Sequence, residues 1–186
     1  MQTNNSKEKV RQLQNKLYLT AKKCDSRRFH ALYDKVYRDD VLFEAWKRVK
    51  ANKGSSGIDG ITIEDIEAKG VNCYLTGIQS ELKSGTYRPL PVRRVMIPKS
   101  DGSQRPLGIP CVKDRIVQMA TKITIEPVFE ADFKGCSYGF RPKRSAKQAL
   151  EVVRRACNNK GYYVVDADIE KFFDNVNQDK LMTLIE

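Results

Sequence analysis

The sequence predicts an α+β fold: a mainly helical body carrying one β-hairpin, followed by a strand that ends in acids. Three observations lead there. Apolar residues recur at helical spacing through most of the N-terminal half. Residues 93–109 switch to a period of two around Asp101-Gly102, a strong hairpin signal. Further on, YYVVDADI (162–169) is a short apolar run that closes on carboxylates, the pattern of a buried strand.

Taken in order, residues 6–24 read as a helix, and so does the stretch from about 30 to 52. There Leu32, Val36, Leu42, Trp46 and Val49 fall close to helical spacing, and Asp39 and Asp40 divide the stretch, with Asp40 capping its second piece. NKGSSGIDG (52–60) is a glycine-rich loop. Thr62 precedes IEDIEAKG, and residues 71–84 form an amphipathic helix ended by Gly85. Arg93, Val95 and Ile97 alternate with Arg94, Met96 and Pro98 in the first hairpin strand, and Arg105 to Ile109 return as the second. A helix over 113–132 is expected to be interrupted near Pro127. Residues 135–145 are a loop whose Ser145 caps the helix AKQALEVVRRAC. After the strand at 162–169, KFFDNV is a turn and NQDKLMTLIE begins a helix. No internal repeat or low-complexity linker interrupts the chain.

Of 186 residues, 40% are hydrophobic and 31% charged, which supports a packed core and excludes wholesale disorder. No apolar run approaches the ~20 residues a bilayer span needs, and MQTNNSKEKVRQLQNK holds no signal-peptide core. An intracellular, soluble, cytoplasmic chain is expected. Cys24, Cys73, Cys111, Cys136 and Cys157 contain no CxxC pair and are expected to be reduced, buried thiols. His30, the only histidine, reads as a surface or cap residue, so zinc ligation and Ser-His or Cys-His catalysis have almost nothing to work with.

The net charge is +11, unevenly placed: residues 1–160 hold 32 Lys+Arg and 17 Asp+Glu, residues 161–186 two lysines and six acids. A basic body followed by an acidic cluster suits an enzyme that handles a polyanion with a carboxylate-bound metal. The alternative is a solvated basic surface with an unrelated acidic tail.

Four motifs bear on that choice. In VVDADIEKFFD (164–174), Asp166 and Asp168 share one side of the strand end, and such carboxylates suit Mg²⁺ in phosphoryl transfer; equally, they could simply end the strand. The hairpin carries Arg93, Arg94, Lys99 and Arg105, cations able to cradle a triphosphate or to keep an edge hairpin soluble. The loop Asn52 to Gly60 offers bare amides to phosphates through Gly54, Gly57 and Gly60, or serves as a flexible connector. In YGFRPKRS (138–145), aromatics interleave with cations; Phe140 is expected in the core and Arg141 on nucleic acid.

Taken together and in this order, these motifs resemble group II intron-encoded reverse transcriptases (maturases), and most resemble the bacterial group IIC branch. NKGSSGIDG resembles that family's N-terminal RT0 element, TYRPLPVRRVMIPKSDGSQRPLGIP its fingers hairpin, CSYGFRPKRSAKQAL the block before the palm, and VVDADIEKFFDNVNQDKL motif A. The similarity runs from about Val41 to the C-terminus. It implies a right-hand polymerase fingers subdomain with the first strand and helix of the palm. The expected division is a basic helical extension over 1–40, fingers over 41–160 and the beginning of the palm over 161–186.

The resemblance implies roles by position. Asp168 would be the catalytic aspartate that ligates Mg²⁺, with the Ile169 carbonyl as a further ligand; no metal role is carried to Asp166. Phe173 would exclude a ribonucleotide 2′-hydroxyl, and Arg93, Lys99 and Arg105 would bind the dNTP. Asn52 to Gly60 would be a lid over the template strand or the template–primer end, with Asn52, Lys53, Gly54, Ser55, Ser56 and Gly57 contacting nucleic acid, as would Arg141, Lys143 and Arg144. The implied partners are group II intron RNA, an RNA template with a DNA primer, and dNTPs, with no membrane. The first forty residues are assigned either to intron RNA or to self-association as a homodimer. The family's second metal-binding block, a Tyr-Ala-Asp-Asp-type turn further into the palm, does not occur in these residues, so the chain is expected to be a fragment that does not polymerise alone. Two other readings stay open: an RNA-binding splicing factor with a decayed polymerase site, and an intron-free relative used in defence or repair.

Overall fold

The computed structural model describes residues 2–24, 26–98, 100, 102–158 and 163–185, without the side chains of residues 2–4 and Asp174. It divides into two compact units, Met1–Lys134 and Gly135–Glu186.

The first unit is built from helices α1 (Gln2–Lys23), α2 (Tyr33–Val36), α3 (Asp39–Ala51), α4 (Ile63–Lys69), α5 (Val71–Ser84) and α6 (Val112–Asp132), with strands β1 (Arg93–Pro98) and β2 (Gln104–Ile109) between α5 and α6. Helical spacing sets the buried faces. Val10, Leu13 and Leu17 of α1, Leu42, Ala45, Trp46 and Val49 of α3, and Ile116, Ala120 and Ile123 of α6 meet in one core, closed by Leu75, Ile78 and Leu82 of α5. The fold is thus α+β as expected: helices together with one two-stranded antiparallel sheet among the described residues.

Several boundaries follow from local chemistry. Thr62 and Asp65 form a reciprocal capping box at the start of α4, and Gly85 ends α5 in the left-handed conformation at φ 72°. The break at Asp39-Asp40 is present, but the residue before the helix is Arg38. Asp40 lies inside α3, where its carboxylate pairs with the Arg38 guanidinium at 2.7 and 2.9 Å and accepts from the Val41 N–H. An acid there stabilises the helix start through charge rather than by capping.

The expected interruption at Pro127 does not occur; α6 runs unbroken through it. A proline removes the N–H that would bond the carbonyl four residues back, here Ile123. That carbonyl accepts instead from the Gln14 side-chain amide of α1 at 3.1 Å. Lys22, two turns on, donates to the Ala131 carbonyl at 2.9 Å. Helix α1 therefore supplies both the apolar face that covers α6 and donors for two of its carbonyls.

In the second unit, α7 (Ala146–Asn158), α8 (Phe172–Asn175) and α9 (Gln178–Ile185) follow the loop after Gly135. Ser145 caps α7 as expected: its hydroxyl accepts from the Gln148 N–H, and the Gln148 side chain accepts from the Ser145 N–H. KFFDNV, expected as a turn, contains the single helical turn α8. The strand expected over 162–169 is a correction. Tyr162 lies outside the described residues, and residues 163–169 carry no strand, with Tyr163, Val164 and Val165 all more than four-fifths exposed. A strand exists through its ladder, and no described segment pairs with this one.

The cysteines are also corrected. All five are free, but only Cys111 is buried; Cys24, Cys73, Cys136 and Cys157 face solvent. Thiols on the outer faces of helices and loops have no apolar partners to bury against. His30 is exposed, as expected. No described helix is long and apolar enough to cross a membrane.

Candidate nucleic-acid interface

The hairpin's register sorts its cations. Arg93 pairs with Ile109 and Ile97 with Arg105, so Arg93 and Arg105 project from one face together with Val95, Ile97 and Leu107. Arg94 lies on the opposite face. Four residues of strand rise separate the Arg93 and Arg105 positions, about 13 Å. Lys99 and the Asp101 of the turn lie outside the described residues. Both faces are largely open to solvent, with Val95, Met96 and Leu107 between a third and a half exposed.

Tyr87 and Asp114 anchor the hairpin's base. The Tyr87 hydroxyl donates to the buried Asp114 carboxylate at 2.6 Å, and the Leu90 N–H donates to the same group at 3.2 Å. Burial pushes the Tyr87 phenol well above its usual range, and the bond to Asp114 reinforces the shift. Beside it, Lys113 pairs with Glu81 at 2.6 Å, and the Glu81 carbonyl accepts from the N–H groups of Thr86 and Tyr87. The end of α5, the hairpin base and the first turn of α6 are locked together.

The loop Asn52–Gly60 is held on that same turn. The Arg93 guanidinium donates to the Ser55 hydroxyl at 3.2 Å, and Arg115 donates to the Ser55 carbonyl. Gly57 is buried against Cys111: a Cβ there would stand 2.5 Å from the Cys111 Cα and 2.6 Å from its nitrogen. Glycine is required at 57 by close backbone approach. Asn52 and Lys53 remain exposed, Lys53 in the left-handed region at φ 47°.

In the second unit, Phe140 is fully exposed at φ 55°, which corrects the expectation that it anchors a core. Arg141 donates to the Ser137 carbonyl at 2.8 Å and braces its own loop. Arg144 stacks over the Tyr138 ring at 5.1 Å, leaving Lys143 exposed at φ 58°. Asp168 is exposed, and one of its carboxylate oxygens accepts from the Ile169 N–H at 2.9 Å. Phe173 is 89% exposed and packs edge-to-face on Phe172, with ring centroids 5.3 Å apart.

The Asp168 carboxylate and the Ile169 carbonyl are hard oxygen donors of the kind a divalent cation takes. They are too few to enclose one: among the described residues no three His, Cys, Asp or Glu side chains come together as a metal site. The donor type fits; the ligand set is partial.

The sequence reading did not single out Asp114 and Arg115, which position the hairpin and the loop. Their one visible signal is an acid and a base side by side in the first turn of a helix that directly follows the hairpin.

Residues 97–186 match the family described as reverse transcriptase (RNA-dependent DNA polymerase). The chain is 37% identical over 182 residues to "Protein YkfC" of Escherichia coli (strain K12), covering 95% of this chain and 48% of that protein. It is 37% identical over 158 residues to "Group II intron-encoded protein LtrA" of Lactococcus lactis subsp. cremoris, covering 84% of this chain and 26% of that one. A third relative, "Putative COX1/OXI3 intron 1 protein" of Saccharomyces cerevisiae, is 31% identical over 144 residues, 77% of this chain and 17% of its own length. The family match and these relatives together support a reverse transcriptase or maturase of group II intron type. The chain spans about half the length, or less, of these relatives.

Proposed function

We propose that the chain is the template- and nucleotide-facing part of an RNA-directed DNA polymerase of group II intron type, one that also binds its intron RNA as a maturase for splicing and mobility. The observation that carries this reading is the bond from Arg93 to Ser55, which fixes a cationic hairpin face and a glycine loop on one scaffold. Cations neutralise phosphates, and a loop without bulky side chains lets a strand approach the backbone.

In this reading, Asn52 to Gly57 lie over the template strand, and Arg93, Lys99 and Arg105 hold the triphosphate of a dNTP. Arginine forks match phosphate oxygens; Lys99 adds a point charge. Arg141, Lys143 and Arg144 contact the nucleic-acid backbone. Asp168 and the Ile169 carbonyl are the chain's share of a divalent-metal site, taken here to be Mg²⁺, with further donors from outside the described residues. Bound there, the metal would stabilise charge on oxygens during phosphoryl transfer. The exposed Phe173 ring excludes a 2′-hydroxyl from the sugar site. Intron RNA, a primed RNA template and dNTPs are the partners, in the cytoplasm.

Primer extension tests the reading. The whole protein extends a DNA primer on an RNA template, and Asp168→Ala abolishes extension while leaving affinity for intron RNA intact. The 186-residue chain alone extends nothing, because its described residues hold only part of a ligand set. Extension that survives Asp168→Ala, or RNA affinity that vanishes with it, contradicts the assignment.

A further inference from the structure

We propose that Arg115 is a positioning residue, one that holds the loop Asn52–Gly60 in the conformation that receives nucleic acid. The proposal rests on reading that loop as the template-facing segment, and it assigns the loop's shape to a side chain 60 residues away in the sequence.

Ser55 is gripped twice. Its carbonyl accepts from Arg115 Nη2 on the first turn of α6, and its hydroxyl accepts from Arg93 Nη2 on β1 at 3.2 Å. The other terminal nitrogen, Nη1, occupies the place a Cβ on Gly54 would take. Gly54 and Gly57 do not lie at positive φ, unlike Gly60. Their lack of a side chain therefore makes room: Gly54 for the guanidinium, Gly57 for the backbone of Cys111.

The Arg115 Nε is buried without a hydrogen-bond partner among the described residues. A buried unpaired N–H is unfavourable, so the conformer persists through what the two terminal nitrogens do at the loop. Asn52, Lys53 and Ser55 of the loop are exposed. A loop pre-set in its binding shape loses less conformational freedom when a strand arrives. Neighbouring Asp114 performs the parallel task for the hairpin through Tyr87 and Leu90. One turn of α6 thereby keeps the loop and the hairpin at a fixed distance.

The test reads loop release and nucleic-acid affinity separately, in the 186-residue chain. Tryptic cleavage at the Lys53–Gly54 bond reports the opened loop, since cleavage tracks the population of the open form. Arg115→Ala speeds that cleavage roughly five- to tenfold, the factor expected from losing one solvent-exposed hydrogen bond of ordinary net strength. It weakens binding of a fluorescent RNA template–DNA primer duplex by a similar factor. Arg115→Lys recovers only part of both, because an ammonium cannot reproduce the fork. Gly54→Ala displaces the guanidinium and reproduces both effects, and the double variant is no worse than either single one.

Unchanged cleavage at Lys53 in Arg115→Ala overturns the positioning role. A released loop with undiminished duplex affinity overturns its connection to nucleic acid, while leaving the polymerase reading on Asp168 intact. A wild-type chain that fails to bind the duplex at all sinks the underlying reading itself. A helical circular-dichroism signal that matches wild type in every variant separates these outcomes from loss of fold.

Discussion

Arg93 and Ser55 meet at 3.2 Å across 38 residues of sequence, the guanidinium donating to the hydroxyl. That contact joins the first strand of the hairpin to the glycine loop. It lies on the strand face that also carries Arg105, so the cations of the hairpin and the bare backbone of the loop form part of one surface. Beneath it, Tyr87, Asp114, Lys113 and Glu81 fix the hairpin's base between α5 and α6.

Phe173 offers a test of sugar selection. Its ring is 89% exposed and braced edge-to-face by Phe172. In the whole protein, Phe173→Ala should raise ribonucleotide incorporation at least tenfold relative to dNTPs, because a methyl group no longer fills the space a 2′-hydroxyl would take. Competition between rNTP and dNTP in single-nucleotide extension measures it. Unchanged selectivity removes the gate role.

Helix α1 should prove part of the fold's stability through a single amide. Gln14 donates to the Ile123 carbonyl that Pro127 leaves without its helical partner. Gln14→Leu should cost about 1–2 kcal/mol, the usual result of stranding a partly buried acceptor. Pro127→Ala returns an N–H to that carbonyl, and in its background Gln14→Leu should cost much less. Denaturant unfolding of the four proteins in the cycle gives the coupling; strict additivity would mean the two groups do not share that carbonyl.

Two phenols set the alkaline limit. Burial raises Tyr74 to about 12, with nearby acids adding to the shift, and Tyr87 is raised further by burial and its bond to Asp114. An unfolded tyrosine ionises near 10. Above that pH the unfolded chain sheds protons that the folded chain keeps, so stability present below about pH 10 falls as pH rises toward 12. Thermal melts between pH 8 and 11.5 should show this slope, shallower in Tyr74→Phe. A slope unaffected by that substitution would show the phenol to be solvated.

Much of the fold was legible because helical periodicity, Thr62, Ser145 and Gly85 each act locally. The hairpin was legible from its alternation and turn. What escaped is non-local. Pro127 marks a helix break unless Gln14, far away in sequence, replaces the lost bond. The apolar run after Tyr162 reads as a strand, yet pairing needs a second strand, and none among the described residues supplies it. Phe140 looked like a core residue because aromatics bury well, but at φ 55° in a loop its ring points into solvent. At the candidate site, the residue types in the loop, the hairpin and motif A were visible. Arg115 and Asp114 were not, since a positioning residue is recognised by what it touches.

The central claim is that the hairpin cations and the loop face a nucleic-acid backbone. The most direct measurement is the affinity of the 186-residue chain for a fluorescent RNA template–DNA primer duplex as a function of salt, for wild type and for Arg93→Ala/Arg105→Ala. Log affinity should fall linearly with log salt, and losing two phosphate contacts should reduce the slope by roughly 2. A flat salt response, or a slope the double substitution leaves unchanged, would contradict it.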